Sequence, residues 1–102
     1  MQWYEAVACF FSGAFLANFV PHFVKGVCGD RFPTPFANPP GKGLSSPLVN
    51  TAWALVNLVA GALLFHAGKV AEGGWTAAAV FFAGIAVLSL PMSVRFASKH
   101  KE

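Results

Sequence analysis

Three long stretches of this chain carry no charge. Residues 6–24, 43–68 and 73–94 contain no Asp, Glu, Lys or Arg. At about 1.5 Å of rise per helical residue, each is long enough to cross a hydrocarbon core of roughly 30 Å. A water-soluble chain of 102 residues could not cover three such helices, because they have no polar face to turn outward. The fold class that follows is all-α and integral to a membrane, with three transmembrane helices near Trp3–Val24, Pro47–His66 and Gly74–Phe96. The length allows a single membrane domain, residues 1–102. Within it a loop (25–46) joins the first two helices, a loop (67–73) joins the last two, and a tail (97–102) follows.

Glu5 is the only charged residue before the first apolar run. Without a basic leading segment, that run is expected to stay as an anchor and not to be cleaved as a signal peptide. The cations set the orientation. Lys25, Arg31 and Lys42 fall in the first loop and Arg95, Lys99 and Lys101 in or beside the tail, against Lys69 alone on the other side. The positive-inside rule then predicts an outer N-terminus and a cytoplasmic C-terminus, in a multi-pass protein of the bacterial inner-membrane type. Trp3, Tyr4 and Trp75 would gather at the outer interface, which suits their amphipathic rings. The net charge of +3 is explained by this topology and by attraction to anionic lipid, so nucleic acid is not an expected partner.

Cys9 and Cys28 would lie roughly 28 Å apart along a continuous helix, which excludes a disulfide between them. The second loop, "AGKVAEGG", is short and makes helices two and three an antiparallel hairpin. The first loop is long and carries "RFPTPFANPPGKGLSSP", residues 31–47, whose prolines forbid helix or strand along most of its length. Gly26 and Gly29 can end helix one, and Ser46 with Pro47 forms an N-cap and first turn for helix two. The segment is expected to be extended or polyproline-like and to fold over the cytoplasmic mouth of the helices. Arg31, Phe32, Phe36 and Lys42 would meet anionic lipid headgroups or a partner there. "PPGKGLSS" lacks the spacing and the preceding strand of a phosphate loop, but Gly41, Lys42 and Gly43 precede a helix N-terminus that favours an anion.

Polar side chains within the spans must find partners inside protein. Asn50, Ala54, Asn57 and Gly61 recur at spacings of four, three and four and therefore share one face of helix two. That face reads as a helix–helix seam. Helix one offers Gly13 with Ala17 and Ala14 with Asn18, and helix three offers Ala79 with Ala83 and Gly84. Pro21 and Pro91 interrupt the ladders near Asn18, His22 and Asn50. The cytoplasmic third is thus polar, and the outer third is expected to be plain apolar packing. Two meanings fit: the polar layer is helix glue, or Asn18, His22, Asn50 and Asn57 line a vestibule open to the cytoplasm.

His22 and His66 fall near opposite ends of the spans, so one chain cannot offer both to one metal or haem, and no cofactor is expected. No nucleophile–base pair or paired carboxylates share a depth, so catalysis is not expected either. "FVPH", residues 19–22, is similar to the Pro-Gln motif of the SemiSWEET sugar transporters, and the helix count matches that family. His22 stands where the family has glutamine, and the long Pro-rich loop departs from its pattern. The resemblance implies transport by an assembly of chains. Two functions therefore stand side by side. One is a non-enzymatic membrane protein acting as a self-associating scaffold or an accessory subunit of a larger complex. The other is an oligomeric small-solute transporter or channel, a parallel homodimer or larger.

Overall fold

The computed structural model describes the backbone of residues 1–100 and the side chains of residues 1–97. Lys101, Glu102 and the side chain of Lys99 lie outside the described residues. Three helices account for nearly all of the regular structure: α1 (Trp3–Val27), α2 (Pro47–Ala67) and α3 (Gly74–His100). All three are long and apolar enough to span a membrane. The chain reads as a multi-pass membrane protein. Its long dimension of 43 Å matches a bilayer with its headgroup layers, about 40–45 Å.

Local chemistry fixes the ends. Glu5 reaches back to the Gln2 amide at 2.9 Å and completes a capping box on α1. Lys25 sits in the last turn of α1, where a cation meets the negative end of the helix dipole. Gly29, with φ of +80°, then turns the chain out of the helix. At α2 the Ser46 hydroxyl accepts from the Val49 amide and Pro47 occupies the first turn.

The helices do not form a closed bundle. α1 packs on both of the others, whereas α2 and α3 make no backbone approach to each other among the described residues. The expected hairpin is therefore splayed, with α1 seated between its arms. The reason lies in the small residues. Gly13 lies directly under the Phe81 carbonyl and Gly84 directly under that of Phe10, a reciprocal contact that brings the backbones of α1 and α3 together. Ala79 was expected on this seam but is exposed, and the fully buried alanine of α3 is Ala77. Near the short loop the three helices do meet, around Cys9, Val70 and Ala77, with the Phe65 and Phe81 rings edge-to-face at 5.5 Å.

The long loop is ordered into a strap. Phe32 and Ser45 exchange both backbone hydrogen bonds, at 3.0 and 3.3 Å, an isolated antiparallel bridge. Between them Thr34 O accepts from the amides of Ala37 and Gly41, and the Asn38–Pro39 peptide is cis. The strap reaches α3, where the Phe32 and Phe96 rings lie 4.8 Å apart and an Arg95 guanidinium nitrogen donates to Gly41 O at 2.8 Å.

Candidate functional site

The buried residues of α2 are Asn50, Ala54, Asn57 and Gly61. They face α1 and form, with it, an antiparallel ladder of polar contacts running the length of the spans. Cys9 Sγ donates to Gly68 O at 3.1 Å, and Ser12 Oγ to Gly61 O at 2.7 Å. Asn18 Nδ2 donates to Asn57 Oδ1 at 3.0 Å, while Asn57 Nδ2 turns back to the Trp53 carbonyl at 2.8 Å. His22 Nδ1 lies 2.8 Å from Asn50 Oδ1. Gly61 leaves room for Leu16, and Gly26 receives Thr51 in the same way. Each contact needs either a short polar side chain or a missing one, and so the sequence alternates the two.

Asn50 is the hub. It is fully buried, and its Nδ2 lies within 3.0–3.2 Å of the carbonyls of Phe32, Ser45 and Ser46. The amide nitrogen is therefore the donor side, which leaves Oδ1 to accept. His22 Nδ1 must then be the donor. The imidazole is 5% exposed and stands edge-to-face on Phe32 at 5.3 Å. A side chain in α1, one in α2 and the two ends of the strap thus share one buried network.

Ser12 and Cys9 were not expected in this role. Their half of the span was to be plain apolar packing, and the structure places two hydrogen-bonded side chains there. The signal was present, since Cys9, Ser12 and Leu16 recur at helical spacing on one face of α1. A single Ser or Cys hydroxyl or thiol can also bond within its own helix, so spacing alone did not select the cross-helix partner. At the same end Lys69, with φ of +55°, forms an ion pair with Glu5 at 3.3 Å.

The remaining predicted residues divide between core and surface. Phe32 is 5% exposed, whereas Phe36 is 66% exposed with its ring edge-to-face on Trp53 at 5.1 Å. Arg31 and Lys42 are exposed on the strap. Gly13 and Gly84 sit at the α1–α3 contact. His66 is exposed at the opposite end from His22.

Because α2 and α3 stand apart, clefts open beside α1. One of about 320 Å³ lies under the strap and includes Asn18, His22, Thr34, Leu88 and Arg95 in its lining. A second of about 280 Å³ lies deeper and includes Ala14, Asn18, Trp53, Asn57 and Leu88. A third, of about 530 Å³ and nearly all apolar, opens on the other side of α1 between Ala17, Val24, Ile85 and Phe96. Among the described residues no three His, Cys, Asp or Glu side chains converge as a metal would need.

Compared with known protein families, characterised proteins and solved structures, the chain shows no significant match.

Proposed function

We propose that this chain is a non-enzymatic membrane protein that works by association, as a self-associating scaffold or as an accessory subunit of a larger membrane complex. The observation that carries this reading is the open layer, in which α1 is flanked on both sides and, among the described residues, α2 and α3 touch only through side chains near the short loop. A three-helix unit built this way offers long apolar flanks to neighbours. Its polar groups, by contrast, turn inward and bond to one another. The proposed setting is a bacterial inner membrane, N-terminus outside and C-terminus in the cytoplasm, on the distribution of Lys and Arg. The strap would then face the cytoplasm, with Arg31, Phe36 and Lys42 at the level of anionic headgroups.

The cleft beneath the strap favours a second reading, transport by a homodimer or larger assembly, since it brings Asn18 and His22 to an opening of about 320 Å³. One chain provides only side-facing clefts beside a single helix, so a solute path would need at least a second copy.

Purification from the native host in mild detergent, with identification of co-purifying chains, separates the two. A reproducible larger partner, or a homo-oligomer that moves no solute in liposomes, supports the associating role. A homo-oligomer that equilibrates a small solute across liposomes refutes it.

A further inference from the structure

The two clefts on the strap side of α1 meet at Asn18 and Leu88, which line both. Together they trace one groove along α1, flanked by the strap and α3 in its outer part and by α2 and α3 in its deeper part. Its polarity is graded. Arg95 stands at the mouth with Thr34 and His22, then come Asn18 and Trp53, and the deep end is apolar at Ala14 and Phe11.

Two features of the lining ask for a ligand. Arg95 is held in place by its bond to Gly41 O at 2.8 Å. A guanidinium has five N–H donors, and a fixed planar fork suits a phosphate better than a mobile point charge does. Farther in, Trp53 Nε1 is the one buried polar side-chain atom without a hydrogen-bond partner among the described residues. An indole N–H is only a donor, and a buried donor left unpaired is costly. Trp53 itself lines the deeper cleft, and the 66% exposed Phe36 ring packs edge-to-face on its indole at 5.1 Å.

We propose that this groove binds one anionic glycerophospholipid, with its phosphate on Arg95, its ester region beside Asn18 and Trp53, and an acyl chain along Leu88, Ala14 and Phe11. The match is one of order as well as of charge, because phosphate, ester carbonyls and hydrocarbon succeed one another in the lipid as cation, amide and indole donors, and apolar wall succeed one another in the groove. A helix from another protein fits less well, since its own carbonyls are already bonded within it and none is left for the indole. This inference does not depend on the associating role, because it concerns the isolated chain.

Native mass spectrometry of the full chain in detergent tests it, with phosphatidylglycerol and phosphatidylcholine as competing probes and inorganic phosphate as a third. Both lipids carry the phosphate, so the discrimination falls on the choline ammonium, which Arg95 repels; the wild type should keep one phosphatidylglycerol, preferred over phosphatidylcholine by roughly tenfold, the worth of one like-charge approach avoided. Arg95→Gln should erase the preference. Leu88→Trp should fill the groove and remove the bound lipid, and Ala14→Leu gives the same test from α1 if the first variant does not fold. Val59→Trp, on the exposed face of α2, should bind as wild type. Equal retention of the two lipids by wild type would overturn the proposal. So would full binding in a folded groove-filling variant, which would mean lipid held elsewhere on the surface. Displacement of the lipid by inorganic phosphate would also overturn it, in favour of a site for a free anion.

Discussion

His22 Nδ1 and Asn50 Oδ1 lie 2.8 Å apart, and the nitrogen of that same amide serves the carbonyls of Phe32, Ser45 and Ser46. One side chain therefore ties α1 to α2 and both to the strap. In lipid no water could replace these bonds. Asn50→Ala should cost about 2–4 kcal/mol, from the lost bonds and the void together. Asn50→Asp should cost a similar amount, because it keeps an acceptor for His22 and removes every donor. Thermal unfolding in detergent measures the loss. Hydrogen exchange at the Phe32 and Ser45 amides should rise in both variants, and protection unchanged from wild type would show that the strap is held some other way.

The imidazole offers a separate check. Nitrogen NMR of His22 should find Nδ1 protonated. His22→Phe keeps the ring on Phe32 but loses the bond, so it should destabilise by about 1–2 kcal/mol, less than either change at Asn50. The reverse tautomer would mean that the Asn50 amide is turned around.

The α1–α3 contact depends on two absent side chains. A Cβ at Gly84 would run into the Phe10 carbonyl, and one at Gly13 into that of Phe81. Gly84→Leu should force the helices apart and cost on the order of 1–3 kcal/mol. On the other side, Gly61→Leu should displace Leu16 and separate α1 from α2. Wild-type melting in both variants would mean that the helices are free to slide.

Three spans were legible in the sequence because charge exclusion over so many residues has few other meanings, and the shared face of Asn50, Ala54, Asn57 and Gly61 followed from the helical period. The order of packing was not legible. Small residues mark where a helix can be approached closely, but they do not name the partner, so the spacing of Ala79 and Ala83 points to a contact that the structure gives to Ala77 and Gly84. The proline-rich loop showed its stiffness but not its path. That path depends on the carbonyls of Phe32 and Ser45 meeting the amide of Asn50, a contact between distant residues that no local spacing encodes. The cross-helix bonds of Ser12 and Cys9 are hidden in the sequence for the same reason.

The proposed orientation, N-terminus outside and C-terminus in the cytoplasm, rests on six cations against one. A reporter active only outside the cytoplasm and fused after Glu102 should be silent, while a cytoplasmic reporter at that position should be active. The opposite pair of results would invert the topology and place the strap outside.

The central claim is that the polar side chains within the spans hold α1 to α2. A double-mutant cycle on Asn18 and Asn57 tests it most directly, with the stability of Asn18→Leu, Asn57→Leu and the double variant measured in one bilayer or detergent. The Asn18 Nδ2 to Asn57 Oδ1 bond at 3.0 Å predicts a coupling of about 0.6–1.7 kcal/mol, the range for such bonds between membrane helices. Strictly additive losses would contradict the account, since the two amides would then not hold each other.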